Sequence, residues 1–459
     1  MSAAVDQPGV ADFDWSGVVD YSKRNWAEPP KTQYELPGVT VEDHLGVPVA
    51  VVPLWHSVVT ATLTLPAGDR EALRSAQRRL AAALAEVERV YPLNPGGILT
   101  QVAYGLSYFR NFLPKALVDE HFPKSTLAGS EGEPAIIDSI RFPKDPQDAQ
   151  LEDNDIVFHF KSDYRGHIEQ VIGALFRPGE QVLNGLPAEN AYVGDLFTIT
   201  SLRHGFAGHG LPKVIGQRLG IPGAEHVPDG AMLFMGFSSS HVHGLAQGNL
   251  PSFETLPGYT DVTVDDYFAG GTAMHLSRIG IDLAKWYELG SKDRLSRVFH
   301  PRRTEGAEVL SPDQSPATVT FEEQRDRDVA ETGVIGHNEQ MQFLSRLSED
   351  TTTAYGEKLP RGTVMFLRQD FNTVENPFAF SSAGRIDPTP RAGVHFVGMG
   401  PSAQYYEKLR LQMDSVDHQK RYNMPDANLG FTGFLQTTHR QNLLLPPRAH
   451  RSFPLAELG

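Results

Sequence analysis

The run from Asp69 to Tyr91 constrains the fold most, because its pattern demands a sheet or helix to pack against. Leu73, Ala76, Leu80, Leu84, Val87 and Tyr91 recur at helical spacing on one face, while Arg and Glu fill the other. Asp69 is placed to cap its start, and Pro92 with Pro95-Gly96-Gly97 stops it. Short strand-like runs flank it, β-branched Val58–Leu65 before and Ile98–Leu106 after. A second strand and helix follow at Ile156–Phe160 and Tyr164–Phe176. This order predicts an antiparallel sheet with helices on one face, the ferredoxin-like α+β unit.

The second half repeats the pattern. Met232–Phe237 and Gly271–Ile279 read as strands, Asp282–Leu289 starts a helix, Arg391–Met399 reads as a strand and Ser402–Asp414 as a helix. Residues Arg302 to Thr332 are charged and turn-rich, which predicts a surface excursion. At 459 residues the chain exceeds one ordinary core. The expectation is α+β with two tandem ferredoxin-like domains. An arm (1–50) lies over the body, followed by a first domain (51–215) and a second (216–459).

Charge and cysteine content narrow the chemistry. The net charge of −15 disfavours nucleic acid and anionic membranes as partners. With no cysteine, disulfides, iron–sulfur clusters, thiolate-ligated haem and cysteine-rich zinc sites are excluded. No export signal and no apolar run of about 18 residues is legible, so a soluble, cytoplasmic protein is expected.

The chemistry gathers between Gly333 and Asn372. His337 stands at the head of an amphipathic run with Met341, Leu344 and Leu347 behind it. Arg368 ends the apolar run Val364-Met365-Phe366-Leu367. A neutral imidazole can ligate iron, and a permanently charged guanidinium can stabilise negative charge opposite it, a pairing that suits haem. Arg368 has a second reading, as a surface partner of Asp370 or Glu375.

Several segments, in order, resemble the dye-decolorizing (DyP-type) peroxidases. AMLFMGF resembles the strand leading into that family's Gly-x-x-Asp-Gly motif, and AGGTAMHLSRIGIDLAKWYELGSKDRLSRVFHPRRTEGAEVL its second-domain signature. GVIGHNEQMQ resembles the segment bearing the proximal haem histidine, VMFLRQDFN the strand ending in the distal arginine, and AGVHFVGMGPSAQYYEKLRLQM the final strand and helix. The resemblance implies a tandem ferredoxin-like fold of the dimeric α+β barrel type, with haem b in the second half. His337 would be the iron ligand and Arg368 the distal cation. Arg278 and Arg346 would neutralise the propionates, and Phe237, Phe366, Phe371 and Phe396 would line the pocket. Where the family carries its catalytic aspartate this chain has Ser239, so Ser239 and His241 form an altered acid/base side, with Asp229 the alternative. His241 and His243, with His226 nearby, also allow a zinc or copper site. The function expected is oxidation of a small organic substrate with peroxide or oxygen. The alternatives are a non-oxidative haem lyase resembling aldoxime dehydratase, and a haem carrier or sensor. Sheet edges leave a homodimer open.

Overall fold

The structure is a computed structural model, described here for residues 29–44, 47–237, 252–254, 256–298, 321–345, 347, 349–359, 363–376 and 389–458. Eight strands close an antiparallel sheet into a barrel. In chain order they are β1 (Trp55–Leu63), β2 (Leu99–Tyr104), β3 (Ile156–Ser162), β4 (Phe197–Phe206), β5 (Thr272–Ile281), β7 (Phe371–Thr373), β8 (Gly393–Gly400) and β9 (Leu435–Leu445). A two-residue strand, β6 (Leu367–Arg368), pairs with β8 just before β7. The order round the barrel is β5–β8–β7–β4–β1–β3–β2–β9, and β9 closes back onto β5. The two halves of the chain meet at narrow seams, one residue pair between β7 and β4 (Asn372↔Phe206) and one between β9 and β2 (Leu444↔Tyr104).

Helix α1 (Arg70–Val90) forms as its apolar stripe predicts, burying Leu73, Ala76, Leu80, Ala83, Leu84 and Val87. With α2 (Arg165–Phe176) it packs on the outward face of β1–β4, against Val59, Val102, Phe158 and Phe160. Each fully buried leucine there contributes about 2 kcal/mol. The Asp69 carboxylate accepts a hydrogen bond from the Ala72 amide at 3.0 Å. Asp69→Ala is therefore expected to lower the unfolding free energy by about 1 kcal/mol, read as a shift of the urea midpoint without change of slope.

The opposite face of the same strands fills the barrel. Val58, Ala103 and Val157 meet Leu276, Val397 and Leu443 there. Among them Lys161 is fully buried, donating to the side-chain oxygens of Gln101 and Gln369 at 2.6 Å each. Residues 29–39 do more than lie over the body. The Gln33 side chain donates to the Val102 and Pro446 carbonyls and accepts from the Val102 amide, satisfying backbone at the thin β2–β9 seam.

Two expected elements differ. Met232–Phe237 is a chain of turns and bends rather than a strand. Asn372 accounts for this by accepting from the Phe234 amide and donating to the Met232 carbonyl, contacts that replace a strand partner. Part of the expected surface excursion is helix α3 (Phe321–Thr332), with Arg325 and Asp328 buried. Its interior face is polar, so apolar periodicity did not reveal it.

Candidate active site

Helices α4 (His337–Ser345) and α5 (Ala403–Asp414) lie over the outward face of β5, β6 and β8. Between helices and sheet is a cavity of about 300 Å³ with predominantly apolar walls. Strand alternation decides what faces it. On β5 it is Ile279 and Ile281, on β8 Val394 and Phe396, and along the extended chain through β6 Phe366, Arg368, Asp370 and Asn372.

His337 opens α4 and lines the helical wall. Its approach is fixed by backbone: the Ile335 amide donates to the Asn428 carbonyl and the Gly430 amide to the Ile335 carbonyl. The Glu339 carboxylate accepts from the Gly336 amide at 2.8 Å, as a capping side chain does. The Phe431 ring lies 4.0 Å from the imidazole, centroid to centroid. Gln340 ties α4 to the end of α5 through the Met413 carbonyl and Ser415 hydroxyl. His337 is mostly buried, and its Nδ1 is fully buried without a hydrogen-bond partner. Burial, reinforced by the Arg368 charge, pushes its pKa down to about 3, so the imidazole is neutral and able to donate a lone pair.

Across the cavity, β6 pairs Leu367 with Met399 and Arg368 with Gly398. Gly398 is required by the Phe366 ring, since a Cβ there would lie 2.3 Å from it. Phe366 stacks at 6.0 Å on Phe396 and faces Tyr406 at the same distance. Arg368 forms no ion pair within the described residues, so the reading of it as a surface partner of Asp370 or Glu375 finds no contact behind it.

Asp370 shares the Arg368 face and was missed as a functional residue. One oxygen accepts from the Val397 amide at 3.1 Å. Burial raises its pKa to about 6, against the opposing pull of Arg368. A carboxyl that titrates near neutrality beside a fixed cation can take up and return a proton in the working pH range. The signal was in the sequence: Phe366, Arg368 and Asp370 are spaced by two, so an extended chain turns all three to one side.

The other expected site residues separate. Phe366 and Phe396 line the cavity with His337 and Arg368, whereas Phe371, an odd number of residues from Phe366 along the extended chain, turns into the barrel against Val397 and Leu443. Arg278 does not. It lies on the opposite face of β5 from Ile279, inside the barrel, because one residue along a strand reverses the side chain. Asp229 is exposed and paired with Lys213, away from the cavity. Ser239, His241, His243 and Arg346 lie outside the described residues. Phe237, just before the serines, lines the wall. Among the described residues no cluster of three or more His, Cys, Asp or Glu could hold a metal ion, and His226 is exposed beside Glu225.

Residues 53–447 match a family of unknown function, DUF7405. The chain belongs to DUF7405. No curated protein matches the sequence of this DUF7405 protein. Among solved structures it is similar to a DyP-type peroxidase from Cellulomonas bogoriensis, at 16% identity and a TM-score of 0.52, covering 91% of this chain and 99% of that one. A dye-decolorizing peroxidase from Bacteroides thetaiotaomicron aligns at 12% identity and a TM-score of 0.47, covering 90% and 98%. A DypB variant from Rhodococcus jostii RHA1 in complex with heme aligns at 13% identity and a TM-score of 0.44, covering 88% and 96%. The DUF7405 protein thus shares the overall fold of the Cellulomonas enzyme. No helix among the described residues is long and apolar enough to cross a membrane.

Proposed function

We propose that this DUF7405 protein is a haem-dependent oxidoreductase acting on a small organic substrate with peroxide. The observation that carries the reading is that His337, Arg368 and Asp370 line one apolar cavity from opposite walls. The residues present fit an iron porphyrin. The neutral His337 imidazole on the cavity wall is available for ligation, and stacked Phe366 and Phe396 offer flat apolar surface. Lys144 and Arg410, cavity residues held by Asp426 and by Asp145 with Asp414, offer cations for propionates in place of Arg278. The absence of cysteine favours haem b, held without thioether bonds.

When bound, the haem supplies a redox-active iron. The chain supplies the rest. Arg368 holds a positive charge where a negative oxygen develops, and the Asp370 carboxylate accepts a proton from peroxide and returns it to the leaving oxygen. We assign Ser239 and His241, which follow the wall residue Phe237, to hydrogen bonding on the same side. Strand order supports the expected architecture: β4–β1–β3–β2 and β9–β5–β8–β7 each place fourth, first, third and second strands side by side, as two ferredoxin-like units would. The segment after β4 packs Ile221, Ala224 and Phe234 on Trp286, which places it with the second unit and supports a boundary near residue 215.

The test is reconstitution with hemin. A stoichiometric Soret band and peroxide-dependent oxidation of a phenol or dye, faster than with free hemin, is the expected result. Binding with no acceleration over free hemin would leave a carrier and refute the enzyme. Arg410→Ala should weaken hemin binding about tenfold, the loss of one charge-assisted contact, read by spectral titration.

A further inference from the structure

Behind the sheet that backs the haem cavity lies a second, smaller cavity of about 60 Å³ at one end of the barrel. Its wall includes Arg203 on β4, Arg278 on β5, His395 on β8, His439 on β9, and the carboxyls of Glu152 and Glu375. The register explains the gathering, since Arg278 is paired with His395 on one side and with His439 on the other. Gly393 leaves room for the guanidinium, as a Cβ there would lie 2.7 Å from Arg278 Nη2.

The polar atoms here are not used up by the protein. Arg203 Nη1, Arg278 Nε and His395 Nδ1 are buried and have no hydrogen-bond partner, on residues 6%, 4% and 2% exposed. Arg203 is paired with Glu152. Arg278 donates only to the Glu375 backbone carbonyl, at 2.9 Å, and forms no ion pair among the described residues. The Glu375 carboxylate accepts instead from the His204 amide at 2.9 Å. Burial lifts its pKa to about 7, so near neutrality it carries only part of a charge, while Arg278, lowered to about 10, remains a cation. Both histidines are held neutral by burial. A buried guanidinium whose nearest carboxyl is only partly ionised and forms no ion pair with it is costly, and water in the cavity could satisfy the donors without completing the balance.

We infer that this barrel-end cavity is a binding site for a small oxyanion, a phosphate or carboxylate group, held by Arg203, Arg278 and His395. Planar guanidinium forks suit oxyanions of either kind, and Thr200 and Ser201 bring hydroxyls to the same wall. The site is separate from the haem cavity, so it stands whether or not the proposed activity does.

Calorimetric titration of the hemin-loaded full chain with inorganic phosphate, and separately with acetate, at fixed ionic strength tests it. One saturable site is expected, weakened at least tenfold in Arg278→Gln and unchanged in Arg165→Gln, an exposed arginine outside the cavity wall. Saturation by phosphate alone assigns the phosphate class, and by acetate alone the carboxylate class. Saturation by neither overturns the inference, as does binding that survives Arg278→Gln but is lost in Arg410→Ala. If Arg278→Gln fails to fold, the wild-type chain still decides, since phosphate or acetate must raise its Tm above that in sodium chloride of equal ionic strength.

Discussion

Asp370→Asn is expected to lower peroxide-dependent turnover of the hemin-loaded protein by about 10²- to 10⁴-fold, the range for loss of a positioned acid/base group. It is also expected to make the protein more stable at neutral pH. Burial raises the folded-state pKa of Asp370 from 3.8 to about 6. A group raised in this way favours folding fully only below its unfolded pKa, and that contribution is lost as pH rises through about 6. At pH 7 the ionised carboxylate therefore costs about 3 kcal/mol, a cost the neutral amide avoids while its oxygen still accepts from the Val397 amide. Urea melts should show the variant more stable at pH 7 and level with wild type near pH 4. The activity limb near pH 6 should vanish with the carboxylate. Equal stability at pH 7, or unchanged turnover, would remove Asp370 from the site. A loss of activity with a gain of stability is what a functional group held in an unfavourable place should show.

His337→Ala is expected to abolish tight hemin binding. Among the described residues the imidazole is the only His side chain lining the cavity, and burial holds it neutral. Loss of an axial bond should weaken hemin affinity by about 10²-fold or more, in the range seen when metal-site groups are removed. Apolar stacking on Phe366 and Phe396 should remain, so residual hemin is expected to show an altered Soret band. Added imidazole, small enough to enter the space left, should restore the wild-type spectrum. A variant with unaltered affinity and spectrum would rule out His337 as the ligand. The fold should survive, because the segment around residue 337 is pinned through the backbone of Ile335 and Gly430.

What could be read from the sequence followed from short-range physics. The α1 stripe, its Asp69 cap and its proline stop fixed that helix to within a residue at each end. Ser402 likewise caps α5, accepting from the Tyr405 amide at 3.2 Å. His337 at a helix head and Arg368 at a strand end were legible because capping and alternation are local. Asp370 was equally legible by its spacing from Arg368, but what matters about it, burial beside a cation, is not written in spacing.

Face and partner were decided in three dimensions. Arg278 and Ile279 are neighbours in sequence and look into different cavities, because the pleat of β5 sends one into the barrel and the other under the helices. Met232–Phe237 has the composition of a strand, and Asn372, more than 130 residues away, holds it as turns. By itself the sequence determined the helices with clear stripes and caps, such as α1 and α5, several of the strands, and which side chains can ionise. Only barrel closure, bringing β9 back to β5, determined which charges are buried, since burial depends on neighbours that chain order does not supply.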